Sequence, residues 1–337
     1  MAQHSINLKQ HKTVERSDIL FCMSRVPGTS RLYCGSSDFR VHELDLSASE
    51  PSRRILGGHR SYVSGAVWTT RGQLVTSGWD RQLIWWDPES ASLIRRVLAH
   101  DKWIRGVVGS PDGELIASVA DDMVCRLWHA KSGDLYQELR GHEAYTPQHY
   151  PSMLFACTFS PDGVYLATGD KLGHVVIWQV ESGEPIAKLD SPEVFTWDPV
   201  QRRHSIGGIR SLRFSPDSSL LAVGGIAHIN NIDGLGGKSL VQIYDWRSGE
   251  RSHKFEHDEH KGIVEDLHFV RDGSWLVGAG GAKAGLLQFM DLEREEFLHA
   301  EVAPMHIHQF EIDNLATRLT AVGHGMVVVW QDQGEKA

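Results

Sequence analysis

Short apolar or alternating runs, each closed by a turn, recur along the whole chain, and no stretch sustains a helical period. Runs such as Leu115-Ile116-Ala117-Ser118 and Tyr165-Leu166-Ala167-Thr168 have strand length. One pattern dominates: an apolar or β-branched triplet that ends in an aromatic and is followed by Asp or a polar residue. It appears as Leu83-Ile84-Trp85-Trp86-Asp87, Cys125-Arg126-Leu127-Trp128, Val175-Val176-Ile177-Trp178, Val241-Gln242-Ile243-Tyr244-Asp245 and Val327-Val328-Val329-Trp330. Degenerate copies are Val41-His42-Glu43-Leu44-Asp45 and Leu287-Gln288-Phe289-Met290-Asp291. The anchor positions are 44, 86, 128, 178, 244, 290 and 330, so the pattern is present seven times at intervals of 42, 42, 50, 66, 46 and 40 residues.

The punctuation between anchors repeats as well. Ser110-Pro111-Asp112-Gly113, Ser160-Pro161-Asp162-Gly163, Ser215-Pro216-Asp217-Ser218 and Arg271-Asp272-Gly273 each separate two apolar runs. Pro fixes φ, Asp bonds its own backbone, and Gly accepts positive φ, which is what tight turns require. Lys131-Ser132-Gly133, Glu181-Ser182-Gly183 and Arg247-Ser248-Gly249 mark a second turn after the anchor. Each repeat therefore predicts four strands joined by turns.

With Gly58-His59, Ala99-His100 and Gly141-His142 ahead of repeats, then the Ser-Pro-Asp-Gly turns and Trp-Asp or its variants, the chain resembles the WD40 family over nearly its whole length. The resemblance implies an all-β, seven-bladed propeller of four-stranded antiparallel blades, a single domain over residues 1–337. Packing such blades buries their edges and open faces. The last repeat leaves too few residues for an outer strand, and Ile6-Asn7-Leu8-Lys9-Gln10-His11 alternates. Residues 1–14 are thus expected to supply that strand and close the ring. The resemblance also implies a structural hydrogen-bond tetrad: His59, Thr76, Asp80 and Trp86 in blade 2, and His100, Ser118, Asp122 and Trp128 in blade 3. Repetition at blade spacing argues against a hydrolase triad, since an enzyme needs one site. Blade 4 has Thr168 and Trp178 but Leu172 where Asp is expected, and blade 7 has His324 there. Those blades are expected to rely on packing.

Composition narrows the classes. Of 337 residues, 41% are hydrophobic and 23% charged, which excludes disorder and low complexity. Lys+Arg 34 against Asp+Glu 43 gives a net charge of −9, so no global basic field is available to hold nucleic acid. No apolar run reaches membrane-spanning length and the polar start lacks a secretory signal, so no membrane association is expected. Cys22, Cys34, Cys125 and Cys157 form no Cys-x-x-Cys pair and are expected as buried thiols in a reducing, cytoplasmic setting.

Chemical motifs fail on close reading. Gly236-Gly237-Lys238-Ser239 ends like a phosphate-binding loop, but Ile232 replaces its first glycine and a strand pattern follows. Gly278-Ala279-Gly280-Gly281 meets Lys283 at the last position of the dinucleotide pattern. His306 and His308 fall on one face of an extended segment, while His257 and His260 occupy a polar turn. No Cys or carboxylate set stands at zinc spacing, so neither metal nor cofactor is expected. Arg202-Arg203-His204 near Phe195 and Trp197 mixes basic and aromatic residues, a weak nucleic-acid footprint in an acidic chain.

The long intervals locate insertions at 143–152, 191–205 and 225–239. Repeat scaffolds place additions on a working face, and the resemblance implies that all three rise on the top rim. Tyr145, His149, Tyr150, Phe195, Trp197, Arg202 and Arg203 lie there. Tyr62, Trp79 and Trp103 hold positions that face upward in the family and form a second aromatic group. Exposed aromatics and Arg dominate interface energies. The expected function is thus a non-catalytic scaffold that binds a protein or peptide on the top face, within a larger complex, with Tyr62, Trp79, Trp103, His149, Tyr150, Phe195, Trp197, Arg202 and Arg203 as the binding set. Small-molecule and nucleic-acid partners are not expected. The alternatives are a propeller enzyme with a metal or histidine site at the channel mouth, built from His306, His308 and His149, and a nucleic-acid-binding subunit.

Overall fold

The computed structural model describes residues 6–200, 203–230 and 236–333. Strands and tight turns dominate, and the described helical segments are single 3-10 turns at Pro192–Val194 and Arg271–Gly273. The chain divides into two compact units, Asp18–Pro192 and Met1–Ser17 with Glu193–Ala337.

Strand β1 (Leu8–Arg25) opens the chain, and its Leu20–Arg25 part pairs with β2 (Arg31–Ser36), which continues into β3 (Arg40–Asp45) and β4 (Ser52–Gly57). Within Asp18–Pro192 follow three four-stranded antiparallel meanders. The first contains β5 (Val63–Trp68), β6 (Leu74–Gly78), β7 (Gln82–Asp87) and β8 (Ser92–Leu98). The second contains β9 (Ile104–Gly109), β10 (Leu115–Ala120), β11 (Val124–His129) and β12 (Leu135–Arg140). The third contains β13 (Leu154–Phe159), β14 (Tyr165–Asp170), β15 (His174–Gln179) and β16 (Pro185–Asp190).

The other unit begins with a two-stranded hairpin, β17 (Phe195–Asp198) and β18 (His204–Gly207). Two meanders follow: β19 (Ser211–Phe214), β20 (Leu220–Ile226), β21 (Lys238–Asp245) and β22 (Glu250–Lys261); then β23 (Ile263–Val270), β24 (Trp275–Gly281), β25 (Gly285–Asp291) and β26 (Glu296–Glu301). The chain ends with β27 (Ile307–Ile312) and β28 (Arg318–Asp332).

Here the sequence expectation needs correction. Seven separate blades were predicted, and among the described residues the structure has six, beside the β17-β18 hairpin: five four-stranded sheets and one six-stranded sheet of order β27-β28-β1-β2-β3-β4. The reason is strand length. β1 and β28 run for 18 and 15 residues without a break, so the last and first repeats share one hydrogen-bonded ladder.

The anchors are core residues: Leu44, Trp86, Trp128, Trp178, Tyr244, Met290 and Trp330 are all buried. Each cluster is built by consecutive sheets, as where Tyr33, Val41 and Leu56 meet Val63, Leu74 and Trp86. The turns explain themselves. In Ser110–Gly113, the Leu115 and Glu114 amides donate to Ser110 Oγ (2.9 Å) and Asp112 Oδ1 (3.0 Å), and Gly113 adopts φ 73°. The 160–163 turn repeats this geometry with Gly163 at φ 73°. All four cysteines are buried thiols.

The third insertion is shorter than 225–239, because β20 runs on to Ile226 and β21 begins at Lys238. Lys238 and Ser239 thus open a strand, which removes the helix a phosphate-binding loop needs.

Candidate functional site

The polar constellations that look catalytic are repeated frames. Thr76 Oγ1 accepts the Trp86 indole N–H (2.8 Å) and lies 2.8 Å from His59 Nε2, while His59 Nδ1 lies 3.0 Å from Asp80 Oδ1. Ser118 Oγ accepts the Trp128 N–H (2.9 Å) beside His100 Nε2 (2.8 Å), and His100 Nδ1 is 3.0 Å from Asp122 Oδ2. The Arg126 guanidinium donates to Asp122 Oδ2 at 2.9 Å. Burial alone would raise the Asp122 carboxyl; bonds from His100 and Arg126 hold it far below the usual range instead.

Blade 4 departs from the sequence reading. It carries a complete network, His142–Thr168–Trp178 with Asp170, where only packing was expected. Asp170 closes β14 and reaches back to His142 Nδ1 (2.9 Å), and it also accepts the Leu172 and His174 amides (2.9 and 3.0 Å). It therefore does the work expected of position 172 from two residues earlier. Burial raises this carboxyl, but bonds from His142 and His174 outweigh that and bring it to about 2.

The repeat also fixes a set of equivalent positions at the start of its sheets. In three sheets the residue ahead of the first strand accepts, through its carbonyl, the amide of the residue after the second strand: Trp79 N–H to Tyr62 O (2.9 Å), Asp121 to Trp103 (3.0 Å) and Lys171 to Met153 (2.9 Å); the same bond runs from His324, within β28, to His306 O (3.0 Å). Near the start of β5, β9, β13, β23 and β27, and at Phe21 within β1, the register skips, leaving Phe21, Ser64, Arg105, Phe155, Glu265 and His308 as bulge residues. Bulges re-aim side chains beside sites.

In Asp18–Pro192 these positions build a continuous aromatic platform. Trp79 and Trp103 stack at 4.5 Å and 5°, and Tyr62 lies 4.8 Å from Trp79. Phe21 and Phe39 extend it on the Tyr62 side at 5.4 and 5.6 Å. Arg105 spans the rings of Trp79 (5.0 Å), Trp103 (5.3 Å) and Phe155 (5.6 Å). Its guanidinium is held by both Asp121 oxygens at 2.7 Å. Trp103 remains 47% and Phe39 42% exposed, so the platform is open to solvent at its outer rings. Sequence reading found Tyr62, Trp79 and Trp103 but missed Phe21, Phe39, Arg105, Asp121 and Phe155. Arg105 and Phe155 carried no local signal, because a bulge is defined by pairing with the neighbouring strand.

The remaining predicted residues are dispersed. His149 and Tyr150 lie exposed in a turn closed by His149 N–H to Thr146 O (2.8 Å), with Tyr145 bridged to Pro151. Phe195 and Trp197 lie in the other unit on β17, half-buried, opposite Gly207 and Ser205. Glu193 ties the base of this hairpin to Gln242, Arg251 and Lys254. Arg203 is exposed, and Arg202 lies outside the described residues. Glu193 thus links the start of the hairpin to β21 and β22.

Among the described residues, two groups offer three metal-type ligand atoms: Glu265 with His306 and His308, and Asp18 with Asp38 and His42. Sequence reading expected no carboxylate near His306 and His308; Glu265 comes from a distant strand and was invisible to local spacing. His149, the third predicted member, belongs to the other unit and not to this group. No described helix is long and apolar enough to cross a membrane.

The WD domain, G-beta repeat family model matches residues 50–87, 91–129, 133–179 and 197–228. Telomerase protein component 1 of Rattus norvegicus is 25% identical over 254 residues, 75% of this chain but 8% of its own length. Nuclear distribution protein PAC1 of Arthroderma otae is 27% identical over 53% of this chain and 40% of its own length. Eukaryotic translation initiation factor 3 subunit I of Aspergillus oryzae is 25% identical over 56% of this chain and 62% of its own. The chain therefore spans less than two thirds of each of these relatives. With WD40 repeats matched in series, His–Ser/Thr–Trp–Asp frames in successive sheets and four-stranded antiparallel blades, this chain belongs to the WD40-repeat β-propeller family.

Proposed function

We propose that this chain is a non-catalytic interaction scaffold that docks a protein or peptide partner on the aromatic platform of Tyr62, Trp79, Trp103 and Arg105. The carrying observation is the open, stacked Trp79–Trp103 pair with Arg105 fixed by Asp121. Rings of this kind bury large area at little entropic cost, and Arg over their faces adds about 0.5–2 kcal/mol. A fixed guanidinium beside them favours a partner carrying an acidic or carbonyl-rich segment. The relatives named for a translation initiation factor subunit and a telomerase component support a place in a larger complex. An intracellular setting goes with it, on the four buried thiols. Pairing of β1 with β28 supports closure of the propeller by the N-terminal strand.

Affinity purification with mass spectrometry tests this reading. Trp103→Ala/Arg105→Ala should lose a partner that wild type recovers, with a melting point within a few degrees. Trp197→Ala/Arg203→Ala should keep it. Retention by the first variant and loss by the second would move the site to the 195–206 hairpin.

A further inference from the structure

The same repeat positions that build the aromatic platform carry different chemistry in the other unit. His306 stands where Trp103 stands, ahead of a first strand, and His324 stands where Trp79 does. Glu265 and His308 are bulge residues, like Arg105. The fold brings the four together. The His306 ring lies 4.7 Å from His308 and 5.0 Å from His324, and His306 Nε2 lies 3.5 Å from Glu265 Oε1.

We propose that Glu265, His306 and His308 bind one divalent transition-metal ion of the zinc class through two imidazoles and a carboxylate, with a fourth position open. Their ligand atoms all lie within 4.8 Å of one another. A tetrahedral site with bonds of about 2.0–2.1 Å has edges of about 3.4 Å, so the His306–Glu265 edge is already at length. His306 Nδ1 lies 3.2 Å from Ala282 O, and an N–H there donates to that carbonyl, the outer contact that sets the tautomer of a metal-binding histidine. That tautomer aims the Nε2 lone pair at Glu265. Nε2 is buried, and 3.5 Å is too long for a well-formed hydrogen bond. A lone pair facing a carboxylate needs a cation between them, either a proton or a metal ion.

Glycines shape the backbone around the three side chains. A Cβ on Gly323 would lie 1.9 Å from His306 O, and one on Gly280 would lie 1.9 Å from Ile263 O, so glycine at each lets the bulged strands approach. The other facing groups are Arg210, whose charge bears on Glu265 and both histidines, and His324, exposed and stacked on His306. Two imidazoles and one carboxylate suit Zn2+ and its neighbours in preference to Ca2+ or Mg2+. The proposal is independent of the scaffold reading, because it concerns residues of the other unit.

The test uses the full chain, stripped with chelator and titrated with ZnCl2, with bound metal counted by mass spectrometry. Wild type should take up one equivalent; Glu265→Gln and His308→Asn should each weaken it at least about tenfold. Asp38→Asn, in the second three-residue group, should leave it unchanged. If a variant fails to fold, Co2+ in wild type serves instead, with the visible band of a tetrahedral nitrogen–oxygen site expected. No stoichiometric uptake by wild type would leave the proton as the bridging cation and overturn the proposal. So would unchanged uptake in folded Glu265→Gln and His308→Asn, or bound Co2+ without that band.

Discussion

Thr76, Ser118 and Thr168 each join an indole N–H to an imidazole inside their sheets, and each imidazole is finished by an aspartate. The three frames give the chain a defined acid sensitivity. Asp170 is held at about 2 in the fold, below its ordinary value near 3.8. A group with a depressed folded pKa stabilises fully above its unfolded value and loses that contribution as pH falls through the folded one. Urea midpoints should therefore drop between about pH 4 and pH 2. Asp170→Asn should lower stability at pH 7 and flatten that drop; an equally steep drop in the variant would remove Asp170 from the account. The His, Ser/Thr and Trp positions were legible because strand and turn spacing repeats. Asp170 was not, because a carboxylate can reach the same histidine from the strand end or from the turn beyond, and spacing alone does not choose.

At the scale of elements, strands, turns and their order were readable from alternation and from Pro-Asp-Gly punctuation. The sheet count was not. β28 continues through His324 and Gly325, and β1 through Asp18, so a pattern that counts anchors sees seven where the hydrogen-bonded ladders make six. Periodicity marks where apolar faces lie and is silent on whether a long strand breaks. The first half of β1 carries a testable weight. Leu8 is buried in a cluster with Phe310, Val328 and Trp330, and the Gln333 amide donates to Asn7 O at 3.3 Å. Deleting residues 1–14 exposes that cluster along one strand edge and should lower the melting point by roughly 10 °C or more, as loss of several kcal/mol would. An unchanged melting temperature would contradict a closing role for the N-terminal strand.

At the scale of the whole molecule, one repeat carries two chemistries at equivalent repeat positions: aromatic and Arg in Asp18–Pro192, histidine and Glu in Glu193–Ala337. Sequence reading named half of the aromatic platform and two of the three proposed metal ligands. It overlooked Arg105, Phe155 and Glu265 because bulge residues are defined by pairing, which a single strand does not reveal. It also named the 195–206 hairpin for its aromatics; there Glu193 bonds Arg251 of β22, and Thr196 Oγ1 accepts the Ile229 amide at 3.0 Å. The central claim is that the platform is where a partner docks. Hydrogen–deuterium exchange of the chain with and without its recovered partner tests it most directly. Protection concentrated on 61–64, 79–82 and 103–106 is the predicted result. Protection on 195–206 with none on those segments would contradict it.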